Sequence, residues 1–279
     1  MDALAFYGLE TTPDPHRWQF EVVPSLCSGL GALFGGCGLG ACIEALEQFT
    51  GRSLVWATGQ YLSYARPGAV ITIDVQEVVR GHQISQARAI AHVDGDEILT
   101  VNAALGHREI PHSGQWAEMP SVPAPMDCPP RVLMDTHVGT IQDRVDMRLA
   151  DARSFEDFDG TPGSGRSALW VRLPGLLELT PATLSIVGDY VPFGISQALG
   201  RRAGGNSLDN TMRVASRAQT EWILADIRVH AIADGFGHGL VHLWTEDGTL
   251  LGTASQSTIV RSWREQPPES GPETEGPRP

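Results

Sequence analysis

The sequence predicts an α+β protein that arose by duplication, with two antiparallel sheets each wrapped around a central helix. Two tight turns indicate the duplication: strand patterns meet at Asp94-Gly95 in the first half and at Asp247-Gly248 in the second. These turns lie 247 − 94 = 153 residues apart, which is the size of one small domain. Between the halves, residues 108–130 contain six prolines, a composition typical of an extended linker.

The predicted domain organisation has four parts. Residues 1–107 form an N-terminal unit, residues 108–130 the proline-rich linker, and residues 131–264 a C-terminal unit. Residues 265–279 are rich in Pro, Glu and Gly and nearly free of apolar side chains, so they are predicted to be a disordered tail.

In the N-terminal unit, a glycine-rich start at residues 35–40 opens a predicted helix, which ends at Gly51 because glycine favours the left-handed cap. The apolar face of this helix has helical spacing and consists of Leu39, Cys42, Ile43, Leu46 and Phe49. Alternating apolar and polar residues, bounded by turn residues, predict the strands that follow: 53–64, 70–79, 84–93 and 98–105.

The C-terminal unit is predicted to repeat this order. A strand is expected at 167–173, an apolar helical stretch at 184–199 despite Pro192, and a helix that starts at 206–210 with Ser207 as its N-cap. The apolar face of that last helix would be Leu208, Thr211, Met212 and Ala215. Three more strands are predicted, at 222–233, 238–244 and 250–261. A long helix and a run of antiparallel strands, repeated twice, describe the hotdog fold, so the predicted fold class is an α+β double hotdog.

Composition excludes several classes of function. All 20 basic residues are arginine, so chemistry that needs a lysine Schiff base, including pyridoxal chemistry, is excluded. A formal net charge of −13 without a run of arginines argues against nucleic acid as a partner. The first residues lack the features of a signal peptide, and no apolar run is long enough to cross a bilayer. We therefore expect a cytoplasmic protein with a small-molecule substrate and no nucleic-acid or membrane partner.

The sequence does not support a metal site, a nucleotide site or a nucleophilic serine. The four cysteines show no C-x-x-C pairing and no histidine at zinc-ligand spacing, so we predict neither a metal site nor a disulfide framework. Gly36-x-Gly38-x-x-Ala41 fits the loose dinucleotide pattern, but no strand precedes it and residues 52–63 contain no acidic residue. The chain has no G-x-S-x-G elbow, Walker A lysine or H-E-x-x-H motif. No cofactor is predicted.

The remaining candidate for catalysis is Asp209. In the predicted helix it would lie in the first turn, where free backbone N–H groups and the macrodipole favour an ionised carboxylate. That position suits a capping residue as well as a catalytic one. Gln256, on the last predicted strand, is the second candidate, and the first half has no comparable polar pair.

The order of these motifs resembles the bacterial acyl-CoA thioesterase II family. The resemblance covers about residues 18–263 and rests on five segments: Phe34-Gly35-Gly36, Tyr64-Ala65-Arg66-Pro67-Gly68, Ser207-Leu208-Asp209, the strand at 222–230, and 247–256 followed by Arg261. In that family a helix-start Asp, a hydroxyl residue on the following strand and a Gln on the last strand hold the hydrolytic water. The resemblance implies Asp209 and Gln256 as catalytic residues. The family's Ser or Thr position falls on His230, for which a role as base and a structural role both stay open.

The resemblance also implies how a substrate would bind. Backbone N–H groups at the helix start, at Gly35 and Gly36, would polarise the thioester carbonyl. Candidates to meet the CoA phosphates are Arg66, Arg201 and Arg202, for each of which a structural or solvent-facing role also stays open. The predicted function is hydrolysis of a fatty or related acyl-CoA to free acid and CoA, by attack of an Asp-oriented water and without a covalent intermediate.

Two alternatives stay open: a non-catalytic acyl-thioester-binding hotdog protein and an enoyl-CoA hydratase. Hotdog hydratases carry an Asp–His pair five residues apart on the central helix, whereas Val214 stands five residues after Asp209. CoA and carrier-protein thioesters are not distinguished by the sequence. Because a fused pseudo-dimer exposes sheet edges, we expect a homo-oligomer.

Overall fold

The computed structural model describes residues 1–175 and 178–262. The first half contains α1 (Ala3–Tyr7), β1 (Glu10–Thr11), β2 (Arg17–Glu21), α2 (Gly35–Thr50), β3 (Leu54–Tyr61), β4 (Val70–Arg80), β5 (Ile84–Val93) and β6 (Asp96–Gly106). The second half contains α3 (Ile141–Arg144), β7 (Asp146–Asp151), β8 (Arg166–Arg172), α4 (Pro181–Val187), α5 (Val191–Leu199), β9 (Ala203–Val214), β10 (Ile223–Ala233), β11 (Phe236–Trp244) and β12 (Leu250–Ser262). The predicted tail at 265–279 lies outside the described residues.

The strands of both halves form a single antiparallel sheet. Its order among the described residues is β1-β2-β4-β5-β6-β3-β9-β12-β11-β10-β8-β7. The run β2-β4-β5-β6-β3 of the first half is therefore mirrored by β8-β10-β11-β12-β9 in the second, and the halves join where β3 pairs with β9. The double hotdog prediction is confirmed, and the two predicted sheets meet edge to edge as one.

The offset of 153 residues between the halves holds residue by residue at this junction. Thr58 on β3 is paired with Thr211 on β9, and their hydroxyl oxygens lie 2.7 Å apart. Each strand also carries a one-residue bulge at the equivalent position, at Val55 in β3 and at Leu208 in β9. Because 208 − 55 = 153, each residue near the junction has an identifiable counterpart in the other half.

The central helix of the first half forms as predicted. It spans Gly35–Thr50 and ends at Gly51, whose φ of 66° is the left-handed conformation that glycine adopts without a Cβ clash. The residues at its apolar positions are buried against the sheet, with Leu39, Cys42, Ile43 and Leu46 fully enclosed. Packing of this helix against α4 brings the two halves together.

The predicted helix starting at 206–210 is wrong, because these residues belong to β9. Leu208 and Met212 do fall at helical spacing, but β9 pairs with β3 on one side and β12 on the other. The bulge at Leu208 shifts the inward and outward alternation by one residue, which hides the period of two from the sequence. Backbone pairing on both sides then outweighs local helical spacing.

The central helix of the second half comes instead from the stretch predicted at 184–199. That stretch folds as α4 and α5, separated at residues 188–190. Pro192 lies in the first turn of α5, where a missing N–H removes no helical hydrogen bond. The break between the two helices places Asp189 immediately before the start of α5.

The four cysteines are free and buried. Burial raises the pKa of Cys42 to about 12, so this thiol stays protonated at neutral pH.

Among residues 1–175 and 178–262, no helix is long and apolar enough to cross a membrane. The same residues contain no cluster of His, Cys, Asp and Glu that could hold a metal ion.

Candidate active site

Asp189 lies where the starts of α2 and α5 meet. Its Oδ2 accepts a hydrogen bond of 2.6 Å from the backbone N–H of Gly36, in the first turn of α2. Gly36 is also the counterpart of Asp189 in the first half, because 189 − 36 = 153. The carboxylate therefore sits close to the pseudo-two-fold axis, near the positive ends of two helices.

Gln256 on β12 holds the other oxygen of this carboxylate. Its Nε2 donates to Asp189 Oδ1 and, at 3.1 Å, to the hydroxyl oxygen of Ser207. Its Oε1 accepts from the Val191 N–H at 3.2 Å, which fixes the orientation of the amide. The Ser207 hydroxyl is also within hydrogen-bonding reach of Asp189. Asp189, Ser207 and Gln256 therefore form one connected polar cluster.

The bulge in β9 explains how Ser207 reaches the cluster. Across the sheet, Ser257 is paired with Asp209 and Thr258 with Ser207, so Leu208 is left without a partner. Skipping one residue turns Ser207 to the same face as Gln256 and leaves Asp209 on the opposite face. The Asp209 carboxylate there accepts a hydrogen bond of 2.8 Å from the Ser257 N–H.

Burial dominates the electrostatics of Asp189. Desolvation raises the pKa of Asp189 to about 7, while hydrogen bonds from Gly36, Gln256 and Ser207 act in the opposite direction. At neutral pH, the carboxyl group therefore exists in comparable amounts as acid and as base. A group with such a pKa can take a proton from water and release it again.

Tyr61 lies across the start of α2 from Asp189. A Cβ on Gly35 would lie 2.7 Å from Asp189 Oδ2 and 3.1 Å from the Tyr61 hydroxyl oxygen, so only glycine fits against both side chains. The Tyr61 hydroxyl is buried and has no hydrogen-bond partner among the described residues. Burial raises the pKa of Tyr61, so the hydroxyl stays protonated and can donate.

A cavity of about 1360 Å³ is lined by residues of both halves. We call the part lined by the first half its inner part; most of the side chains there are apolar. The part lined by α5 and by Arg131, Arg201 and Arg202 is its outer part. Asp189, Ser207 and Gly35 also line the cavity, so a bound molecule could contact the cluster together with either part.

Arg131 is an unusual component of the outer part. Its guanidinium packs against the rings of Phe155 and Phe193, at 5.7 and 5.6 Å from the ring centres, and its Nη1 is 3.1 Å from Met147 Sδ. It makes no ion pair with a carboxylate in the described part of the chain, and its Nε has no partner there. A cation enclosed by apolar groups is suited to bind an anionic ligand.

The structure brings together some of the site residues expected from the sequence and separates others. Gln256, Gly35 and Gly36 lie at the cluster. Asp209 is on a strand and not at a helix start, which corrects its predicted position. His230 is exposed at an irregularity of β10, and Arg66 is exposed in the turn before β4; neither lines the cavity.

Sequence reasoning missed Asp189 and Ser207 as site residues. In this structure, an Asp just before a helix, a hydroxyl residue on the following strand and a Gln on the last strand do meet, and they are Asp189, Ser207 and Gln256. Two signals could have found Asp189: the proline two residues into the following helix, and the spacing of 153 residues from the glycine-rich start of α2.

The first half does not repeat the polar cluster. Subtracting 153 from Asp189, Ser207 and Gln256 gives Gly36, Leu54 and Ala103. The strand register supports this mapping, since Leu54 is paired with Leu105 as Ser207 is with Thr258. None of these counterparts has a polar side chain, so the first half lacks the equivalent of this cluster.

The fold and this cluster define a fused pair of hotdog units that share a polar site at their junction. The chain belongs to the acyl-CoA thioesterase family: the acyl-CoA thioesterase N-terminal domain matches residues 23–106, and the acyl-CoA thioesterase C-terminal domain matches residues 110–260. Membership of this family supports thioester hydrolase activity. Comparison with the curated proteins finds no match.

Solved structures with the same fold include a candidate thioesterase from Novosphingobium aromaticivorans. It is 31% identical, with a TM-score of 0.79, and the match covers 90% of this chain and 97% of that one. A hot dog fold protein of unknown function from Alicyclobacillus acidocaldarius is 20% identical, with a TM-score of 0.80 and coverage of 92% and 96%. A candidate thioesterase II from Thermobifida fusca is 16% identical, with a TM-score of 0.80 and coverage of 93% and 99%.

Proposed function

We propose that this protein hydrolyses an acyl-CoA to free acid and CoA, with a water held by Asp189, Ser207 and Gln256. The observation that carries the proposal is the buried Asp189 carboxylate, fixed by hydrogen bonds from both halves in the wall of a large cavity. Thioester hydrolysis needs a positioned water, a base and a donor to the developing oxyanion. The cluster supplies the first two.

In the proposed reaction, Asp189 takes a proton from the water, and the water oxygen attacks the thioester carbonyl carbon. The Tyr61 hydroxyl and the Gly35 N–H donate to the resulting oxyanion. The Gly35 N–H is free to do so because it lies in the first turn of α2, where helical N–H groups lack a partner within the helix. The C–S bond then breaks, the CoA thiolate leaves, and the proton held by Asp189 passes to the thiolate, which restores the carboxylate.

Release of free thiol from a panel of acyl-CoAs by the purified protein tests this proposal. Turnover of any member, with the fatty acid as the other product, supports hydrolysis. Absence of thiol release across acetyl to palmitoyl chains would contradict it and favour a non-catalytic acyl-thioester-binding protein. Hydration is a weaker alternative, because Gly194 and not a histidine stands five residues after Asp189.

The raised pKa of Asp189 predicts the pH dependence of the reaction. Only the ionised carboxylate can accept a proton from water, so kcat/KM should rise about tenfold per pH unit below 7 and level off above it. A pH–rate profile between 5.5 and 9 measures the midpoint. Ser207→Ala removes a hydrogen bond that lowers this pKa, so the residual activity of the variant should have a higher midpoint. A flat profile in wild type would contradict the role of Asp189 as base.

We also propose that Arg131 binds a phosphate of CoA in the outer part of the cavity, together with Arg201 and Arg202. Replacing Arg131 by Gln should raise KM for an acyl-CoA about tenfold, because a charge-assisted hydrogen bond is lost, and leave kcat within about twofold. The matched substrate is the acyl-pantetheine thioester, which lacks phosphate and should be hydrolysed equally well by wild type and variant. An equal loss on both substrates would contradict phosphate binding.

A further inference from the structure

The inner part of the cavity has the dimensions and chemistry of a pocket for a hydrocarbon chain. We call it the inner arm and define it by Gly38, Cys42, Ile71, Ile73, Ala91 and Leu99. Each of these residues carries an apolar side chain, a thiol or no side chain. Ile71 and Ile73 are 1% and 0% exposed, so this part of the lining is shielded from bulk solvent. A hydroxyl or carboxylate at the end of a bound chain would be buried here without a partner, at a large energetic cost.

The inner arm exists in the first half because α2 carries small residues where α5 carries large ones. Adding 153 to Gly38 gives Val191, and adding 153 to Cys42 gives Ile195. Val191 and Ile195 fill the equivalent space, packed against the backbone of β11: a Cβ on Gly239 would lie 2.8 Å from Val191 Cγ1, and one on Gly237 would lie 2.5 Å from Ile195 Cδ1. Neither Val191 nor Ile195 lines the cavity.

The length of the inner arm follows from the helix beside it. Cys42 is 42 − 35 = 7 residues along α2 from Gly35, or about 10 Å at 1.5 Å per residue. An extended hydrocarbon advances roughly 1.3 Å per carbon, given C–C bonds of about 1.5 Å. The distance from the polar cluster to Cys42 therefore corresponds to about eight carbons. Gly38, three residues from Gly35, lies beside roughly the third or fourth carbon.

We propose that Gly38 and Cys42 set the length of the acyl chain, and that the site takes straight, unsubstituted acyl groups of about eight carbons. This rests on the proposed acyl-CoA hydrolysis and adds the class of acyl group. The second half performs the polar chemistry with Asp189, Ser207 and Gln256, while the first half supplies the space for the chain. Because α2 has small residues at positions 38 and 42, the first half can hold the chain while the second half performs the chemistry.

The test uses two variants, Gly38→Val and Cys42→Ile, each of which introduces the residue found at the equivalent position of the second half. For wild type and both variants, kcat/KM is measured with acyl-CoAs of 2 to 14 carbons. In wild type, kcat/KM should rise about fourfold per methylene up to about eight carbons and then level off or fall. Cys42→Ile should move the optimum to about six carbons and Gly38→Val to about four. The loss relative to wild type should be smallest for acetyl-CoA, whose acyl group ends before either residue. Cys42→Ala, which adds no bulk at the same site, is the matched control and should keep the wild-type optimum.

A second measurement separates this inference from the proposed hydrolysis. Calorimetric binding of S-alkyl-CoA thioethers, which cannot be hydrolysed, reports the chain-length preference even if no acyl-CoA is turned over. Affinity that stops rising near eight carbons in wild type, and earlier in the two variants, supports the inference. An unchanged chain-length profile in Gly38→Val and Cys42→Ile, equal losses at all lengths in folded variants, or affinity that still rises beyond twelve carbons in wild type would each overturn it.

Discussion

Replacing Asp189 by Asn is expected to lower kcat about 10²- to 10⁴-fold, with KM little changed, because an amide cannot take the proton of the attacking water. The substitution also disturbs the hydrogen bonds around it. Gly36 donates to one carboxylate oxygen and Gln256 to the other, so the amide NH₂ group of Asn must face one of these donors. Thiol release from octanoyl-CoA, together with circular dichroism to verify folding, measures the effect.

Asp209→Asn is the matched control for this experiment. The Asp209 carboxylate lies on the opposite face of β9 and accepts from the Ser257 N–H, a hydrogen bond that the Asn oxygen can also accept. Its activity should stay within about twofold of wild type, as expected for a substitution away from the reacting groups. If Asp189→Asn were active and Asp209→Asn inactive, our assignment would be contradicted. The hypothesis drawn from the sequence, in which Asp209 is catalytic, would then be restored.

Replacing Tyr61 by Phe is expected to lower kcat by about 10²- to 10³-fold, the effect of losing one oxyanion donor. The hydroxyl faces the space beside Gly35 and Asp189, it is buried, and its raised pKa keeps the proton on the oxygen. Because the donor acts on charge that develops in the transition state, the loss should appear in kcat and leave KM within about twofold. Steady-state kinetics on one acyl-CoA measures both constants.

Tyr190→Phe is the control for the loss of a buried tyrosine hydroxyl. The Tyr190 hydroxyl is also buried without a partner among the described residues, but it is not one of the two groups to which we assign the oxyanion. Its removal should change kcat by less than about threefold, because the proposed oxyanion donors, Tyr61 and the Gly35 N–H, remain in place. A Tyr61→Phe effect confined to KM, or equal effects of the two substitutions on kcat, would argue against an oxyanion role for Tyr61.

Local patterns in the sequence were sufficient for most strands of the sheet. The strand Ile84–Val93 is predicted without error, and the turns Asp94-Gly95 and Asp234-Gly235 adopt the positive φ angles that two-residue hairpins require. These features depend on the alternation of side chains and on backbone preferences within a few residues. The duplication can also be recognised from the sequence, because the spacing of 153 residues between equivalent turns is found without any knowledge of contacts.

The carboxylate that lies in the polar cluster could not be identified by the same reasoning. Asp189 and Asp209 both fit the start of a helix by local pattern, and the family resemblance does not say which of them fills that role. Pairing of β9 between β3 and β12 excludes the helix at Asp209, and the break between α4 and α5 brings Asp189 to Gly36, 153 residues away in sequence. Contacts at such separation are invisible to local periodicity.

By itself, the sequence determined the duplicated α+β architecture, the central helix α2 and the presence of Gln256 on the last strand, because each depends on local patterns or on their repetition along the chain. Only the tertiary structure decided which residues meet at the site. The bulge at Leu208 turns Ser207 inward, and close packing of α2 on α4 brings Gly36 to Asp189. Burial of that carboxylate, and hence its pKa of about 7, is a property of the assembled halves and of neither one alone.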